Sequence, residues 1–265
     1  MTRIDQVFKR LKAKGEKALI PFITAGDPDL ATTRVLALEM AAKGADLLEL
    51  GIPFSDPLAD GPTIQAASNR AVQHGVHLQE VLQLAGEIRQ ETEIPLILMG
   101  YYNPILQYGL ERTAREAAAL GVDGFIIPDL PPEEAGPWRV AAAKAGVANI
   151  FLAAPTSGAE RIKRMGHLTH GFLYYVSVTG ITGARMELPQ DLVKALKEVR
   201  SLVKCPLAVG FGISTPEQVK WLAPYVDGIV VGSAIVQRVA RLKGQELIKE
   251  VGDFIAALKK PLRAR

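Results

Sequence analysis

Gly44-Ala45-Asp46-Leu47-Leu48, Gly121-Val122-Asp123-Gly124-Phe125 and Tyr225-Val226-Asp227-Gly228-Ile229 follow one plan. Each sets a turn behind a helical stretch, an aspartate where a strand begins, and then an apolar run. Short β-rich runs of this kind recur along the chain: Leu19 to Thr24, Asp46 to Ile52, Pro95 to Gly100, Asp123 to Asp129, Asn149 to Ala154, Phe172 to Ser177, Pro206 to Gly210 and Asp227 to Gly232. Amphipathic helical patterns lie between them, among them Leu30 to Lys43, Leu78 to Arg89, Leu110 to Leu120, Glu133 to Ala145 and Gln190 to Val199. Strands alternating with helices pair in parallel, because a parallel neighbour is reached only through a crossover. Runs that are apolar almost throughout suit a sheet covered by helices. No GxGxxG opens a dinucleotide-binding sheet, and no linker divides the chain. The predicted fold is therefore α/β, a single-domain (β/α)8 TIM barrel spanning residues 1–265. Ahead of the first strand, Met1 to Lys14 sets Ile4, Val7, Phe8 and Leu11 at helical spacing, predicting an extra N-terminal helix that covers apolar surface.

The 265 residues are 48% hydrophobic, enough to bury a full core, and 22% charged, which argues against disorder. The formal net charge of +3 is spread out, apart from Lys259, Lys260, Arg263 and Arg265. That group reads as a solvated terminus rather than a nucleic-acid arm, and the mild positive balance suits an anionic metabolite. The single cysteine, Cys205, has no disulfide partner within the chain and is expected to be a small buried core residue. No apolar stretch approaches the ~20 residues that span a bilayer, and a cytoplasmic location is expected.

In such a barrel the chemistry sits at the C-terminal strand ends and the loops after them. No lysine lies at these ends, which argues against a Schiff-base aldolase. His74, His77, His167 and His170 fall in helices or turns, so no transition-metal site is expected. Carboxylates, tyrosines and glycines remain. Glu49 alternates with Leu48 and Leu50, so if the leucines meet the helices, Glu49 points into the barrel. A charge there is costly unless it is paired in an internal network or functional. Asp60 and Asp56 lie in ordinary turn chemistry by local sequence. Yet the connection after Ile52 is long for a βα loop, and a carboxylate on it near Glu49 would give two acids with separable roles. Gly210-Phe211-Gly212-Ile213-Ser214 and Gly232-Ser233-Ala234-Ile235 fall after the seventh and eighth strands, where bare backbone N–H groups and a helix start can hold phosphate. Val178 to Arg185 reads either as a lid or as a surface loop, and Tyr101 and Tyr174 either as aromatic walls or as core.

Glu-Leu-Gly-Ile-Pro-Phe-Ser-Asp-Pro-Leu-Ala-Asp-Gly-Pro, from Glu49 to Pro62, resembles the signature of the tryptophan synthase alpha chain family. Pro21 to Pro28, Thr179 to Gly183 and Gly210 to Ser214 are similar to the same family, in register from the first helix to near the C-terminus. The resemblance implies retro-aldol cleavage of indole-3-glycerol phosphate to indole and glyceraldehyde 3-phosphate, in tryptophan biosynthesis. It implies Glu49 as the acid/base and Asp60 as the second catalytic carboxylate. Phosphate contacts map to Gly183, Gly212, Gly232 and Ser233, the indole pocket to Phe22, Ile64, Met99, Tyr101, Tyr174 and Phe211, and the lid threonine to Thr182. It further implies no cofactor in this chain, and a pyridoxal-phosphate beta chain as partner in an α2β2 heterotetramer. The loops Pro53 to Pro57 and Pro128 to Pro132, with their prolines and apolar side chains, are the expected docking face. Met99 and the stretch after Gly183 depart from the family pattern.

Overall fold

A computed structural model describes residues 1–176, 190–210 and 212–264. Its strands are β1 (Ala18–Thr24), β2 (Leu48–Gly51), β3 (Leu96–Met99), β4 (Gly124–Ile126), β5 (Ala148–Ile150), β6 (Leu152–Ala153), β7 (Leu173–Val176), β8 (Leu207–Gly210) and β9 (Gly228–Val231). The helices among the described residues are α1 (Arg3–Lys14), α2 (Leu30–Ala42), α3 (Pro62–Gln73), α4 (Leu78–Arg89), α5 (Tyr102–Tyr108), α6 (Leu110–Ala119), α7 (Gly136–Ala145), α8 (Ala159–Leu168), α9 (Gln190–Leu202), α10 (Pro216–Leu222), α11 (Ser233–Arg241) and α12 (Gly244–Lys259). The strands pair in the order β5-β4-β3-β2-β1-β9-β8-β7-β6, every pair parallel. Because β5 and β6 are one predicted strand interrupted only at Phe151, the two ends of this order meet. Tyr174 N–H donates to the Phe151 carbonyl at 3.0 Å across that junction. The eight predicted strands thus form a barrel; the first begins one residue earlier than predicted, the fifth is split at Phe151, and the fourth, Gly124–Ile126, ends three residues short of Asp129.

Two apolar layers fill the molecule. Leucines 48 and 50 face the outer layer with the helices. Ala18, Ile20, Leu47, Ile97, Ile126, Ala148, Ile150, Phe172, Ala208 and Val230 fill the barrel interior. The buried face of α1, Ile4, Val7, Phe8 and Leu11, joins that interior cluster. Phe8 packs on Phe172 with ring centroids 5.6 Å apart. The helix starts on a capping box in which Thr2 accepts from the Asp5 N–H at 3.2 Å and Asp5 accepts from the Thr2 N–H at 2.9 Å. It plugs the N-terminal mouth of the barrel and leaves the C-terminal mouth for chemistry.

The repeated aspartates explain the motif that announced the fold. Asp46 Oδ2 accepts the Leu19 N–H at 2.8 Å, Asp123 Oδ2 the Leu96 N–H at 2.9 Å, and Asp227 Oδ2 the Leu207 N–H at 2.9 Å. Each therefore holds the start of a neighbouring strand. Each also meets a cation: Lys259 at 2.7 Å, Arg89 at 2.8 Å, and Arg200 respectively. Lys259, almost wholly buried, also donates to the Lys17 carbonyl at 3.1 Å, so the clamp at Asp46 ties α12 to the barrel floor. Cys205 departs from expectation. It is half-buried before β8, packed against the outer apolar layer without being enclosed by it.

Removing one member of a buried ion pair strands its partner. Asp123→Ala is expected to destabilise the fold by about 3 kcal/mol, because Arg89 and the Leu96 N–H lose a shared acceptor. Equilibrium unfolding in urea measures this, with unchanged turnover per folded molecule. A loss below about 1 kcal/mol would show that the clamp is dispensable.

Candidate active site

The C-terminal mouth is organised by close approaches of aromatic rings to glycines. Phe22 lies on β1 between β2 and β9. A side chain at Gly51 would come within 2.6 Å of its ring, and one at Gly232 within 3.3 Å. The two glycines form a slot for this ring. Gly210 on β8 lies directly under the Tyr174 hydroxyl, so it too has no room for a Cβ. Phe22 then gathers with Ala67 and Val236, and with half-buried Ile64 and Met99. Three of the residues expected in an aromatic pocket, Phe22, Ile64 and Met99, are thus brought together. Tyr174 packs from the interior side beside Met99.

Glu49 stands in register with Phe22 on one side and Ile97 on the other. It is 1% exposed, and neither carboxyl oxygen has a hydrogen-bond partner among the described residues. The internal network that would make it a structural residue is absent there. Burial, then the nearby charge of Asp60, push its pKa from an ordinary 4.5 up to about 8. At neutral pH Glu49 is a protonated carboxylic acid in an apolar barrel.

Asp60 reaches the same mouth from the loop between β2 and α3. Its Oδ2 accepts from the Tyr101 hydroxyl at 3.0 Å, and that hydroxyl in turn accepts the Ala59 N–H at 2.9 Å. Burial pushes the Asp60 pKa up to about 6, while the Tyr101 hydrogen bond pulls the other way. The two carboxyls are therefore split: at pH 7 Asp60 is largely ionised and Glu49 protonated. Tyr174 is held well above its ordinary pKa, first by burial and then by the charges of Glu49 and Asp60, and stays a neutral phenol.

A small cleft runs from Phe22 and Thr24 past Gly51, Asp60 and Ile64 to Met99 and Tyr101. Phe54 stacks on Tyr101 with centroids 5.3 Å apart, and Ser68 holds the Phe54 backbone N–H and carbonyl, both at 2.8 Å. Arg70, also on α3, binds Asp27 through two nitrogens at 2.8 Å each and so anchors α3 to the loop after β1. Next round the mouth, after β8 and β9, Gly212 adopts φ +65°, a left-handed turn that favours glycine, and Ser233 opens α11 behind Gly232. These three lie where phosphate binding was expected. Thr182, Gly183, Phe211 and the expected lid from Val178 to Arg185 lie outside the described residues. Among the described residues, no three His, Cys, Asp or Glu side chains gather as a metal ion would require. None of the described helices is long and apolar enough to cross a membrane.

Sequence reasoning missed Thr24, Ser68 and the Arg70–Asp27 pair. Thr24 was findable, since it shares the inward face of β1 with Phe22, two residues further along. The other two depend on contacts 14 and 43 residues apart, for which the sequence carries no local signal.

Known proteins match this arrangement along its length. The family model described as tryptophan synthase alpha chain matches residues 8–262. A tryptophan synthase alpha chain from Citrifermentans bemidjiense is 52% identical over 98% of this chain and 97% of its own length. The crystal structure of tryptophan synthase subunit alpha from Legionella pneumophila superposes with a TM-score of 0.91 at 39% identity, covering 99% of this chain and 98% of that one. A structure of the tryptophan synthase a2b2 complex from Pyrococcus furiosus contains a chain that matches with a TM-score of 0.87 at 40% identity, over 92% of this chain and 98% of that one. On a family-model match covering nearly every residue, and relatives about half identical over their full length, the chain belongs to the tryptophan synthase alpha chain family.

Proposed function

We propose that this chain, acting as one barrel domain, cleaves indole-3-glycerol phosphate by a retro-aldol reaction, with Glu49 as proton shuttle and Asp60 as its electrostatic partner. The observation that carries the reading is Glu49: a fully buried acid without a hydrogen-bond partner among the described residues, held protonated at neutral pH beside a carboxylate that is not. Cleavage needs a proton at indole C3, and the Glu49 carboxyl can supply it. The ring nitrogen then carries positive charge, which ionised Asp60 offsets. As the bond from C3 to the side chain breaks, its electron pair returns to the ring, the neighbouring hydroxyl becomes the aldehyde, and its proton passes to the Glu49 carboxylate. Indole and glyceraldehyde 3-phosphate leave, and the acid is regenerated. The indole ring itself accepts the electrons, so the sequence of steps calls on no other sink.

Phe22, Ile64, Met99, Tyr101 and Tyr174 supply apolar and aromatic walls for the ring, with Phe211 assigned to them by family resemblance. Gly212, Gly232 and Ser233, together with Gly183, offer backbone N–H groups and a helix start to the phosphate. Thr182 belongs to the lid in this reading. The partner is a beta chain that holds pyridoxal phosphate, in an α2β2 assembly of the kind solved from Pyrococcus furiosus, and the pair works in the cytoplasm. Leu58, 91% exposed at the tip of the loop carrying Asp60, supports a docking face there. Leu130 on the second loop is buried, so its side chain lends no support to docking there.

Glu49→Gln is expected to lower turnover by about two to four orders of magnitude while an uncleavable substrate analogue still binds. Retention of more than about a tenth of wild-type turnover would remove Glu49 from the chemistry. The same variant should melt higher than wild type at pH 9. A carboxyl whose folded pKa is raised favours folding below its unfolded pKa and loses that contribution as pH rises toward about 8. At pH 5 the two should melt closer together.

The rate profile follows from the same split. With Asp60 required ionised and Glu49 protonated, kcat/KM should fall below about 6 and above about 8. Asp60→Asn should lose most of the rate and, in what remains, the acid limb. A wild-type profile flat from pH 5 to 9 would contradict the assignment of both groups.

Leu58→Asp should weaken beta-chain binding in calorimetric titration, with little change in melting temperature or in cleavage by the isolated chain. Unchanged association would take this loop tip out of the interface.

A further inference from the structure

Four polar side chains line the cleft at the ring end of the site: Thr24, Asp60, Ser68 and Tyr101. Two are already committed. Ser68 both donates to and accepts from the Phe54 backbone, and Tyr101 donates to Asp60 while accepting the Ala59 N–H. Asp60 keeps free acceptor capacity, since Tyr101 engages its Oδ2 alone among the described residues. Thr24 has no such commitment among the described residues. It is 3% exposed, and its Oγ1 has no hydrogen-bond partner among the described residues. A buried hydroxyl without a partner costs roughly 1–3 kcal/mol relative to one that is satisfied. An apolar residue of the same shape, valine, would fit this strand position at no such cost.

We infer that the Thr24 hydroxyl is a further ligand contact, accepting a hydrogen bond from the ring N–H of the indole that Asp60 also faces, and so helps select a nitrogen heterocycle over an isosteric ring without that donor. The inference rests on the function proposed above. The surroundings support it: Phe22, Ile52, Ile64 and Met99 offer a ring only apolar contact, so its one polar group must find a partner among the uncommitted oxygens. Among the side chains that line this cleft, Thr24 and Asp60 carry those oxygens; the Glu49 oxygens, also without a partner among the described residues, are taken up by proton transfer in the proposed function. Sites that hydrogen-bond a substrate N–H discriminate against analogues lacking it because the buried acceptor is then left unpaired.

The test compares wild type with Thr24→Val and Thr24→Ser, titrating each with an uncleavable indole-3-alkyl phosphate and with its benzothiophene counterpart, in which sulfur replaces the N–H. Thr24→Val should bind the indole ligand about two- to tenfold more weakly, the range of one neutral hydrogen bond, and the benzothiophene ligand as wild type does. Thr24→Ser should keep the wild-type preference. Thr24→Val should also melt at or above the wild-type temperature, since it removes an unsatisfied buried hydroxyl. A hydroxyl with a structural role would give the opposite sign. Unchanged indole affinity, equal loss of both ligands, or a lowered melting temperature with an unchanged preference would each overturn the inference. Failure of the wild type itself to bind the indole ligand would overturn the proposed function together with this inference, so the two failures are told apart by the wild-type arm alone.

Discussion

Closing a parallel sheet on itself leaves no edge, but it requires every strand to be buried on both faces, and the rest of this molecule follows from that requirement. The outer face is met by helices and the inner face by small and branched residues, with α1 sealing one mouth. Register then becomes decisive. A slip of one residue would turn Leu48 and Leu50 inward and carry Glu49 to the helix side. The aspartate clamps at 46, 123 and 227 oppose such slips by fixing where the neighbouring strand begins. A set of interactions at the floor of the barrel thereby determines which side chains reach its top.

The same burial that stabilises the barrel sets the chemistry of its acids. Glu49 and Asp60 have the same functional group and share one mouth, yet they titrate apart. Glu49 sits on a strand, fully enclosed, with no donor among the described residues. Asp60 sits on a loop, less enclosed, with a phenol donating to it. Geometry alone divides an acid from a base at neutral pH.

Asp60 owes its place to contacts far along the chain. Tyr101 grips both Ala59 and Asp60, Gln65 donates to the Asp60 carbonyl at 2.8 Å, Ser68 holds Phe54, and Arg70 secures α3 against Asp27. The loop is thus anchored at its start and its end, while its tip at Leu58 is open to solvent. The Asp60 carboxylate is thus fixed at its own residue, two positions from the exposed tip. The loop's long excursion after β2 is consequently part of the site and not only a connection.

The barrel was legible because periodicity and a repeated aspartate are local patterns, and the structure differs from the predicted strands only in their bounds and in the break at Phe151. Glu49 was legible for a different reason: a carboxylate inside an apolar strand is an anomaly, and anomalies carry a cost that calls for explanation. Asp60 was less so, since Asp-Gly-Pro has turn chemistry of its own and its tie to Tyr101 spans 41 residues. Cys205 was read as buried from the apolar run that follows it, whereas its place just ahead of that run leaves it half-buried against the outer layer. Thr24 marks the limit of this kind of reading. Threonine belongs in strands, so nothing about it is anomalous until the fold encloses its hydroxyl and the neighbouring oxygens are accounted for. A residue whose role rests on the partner it lacks becomes visible only in three dimensions, where the surrounding hydrogen bonds can be counted.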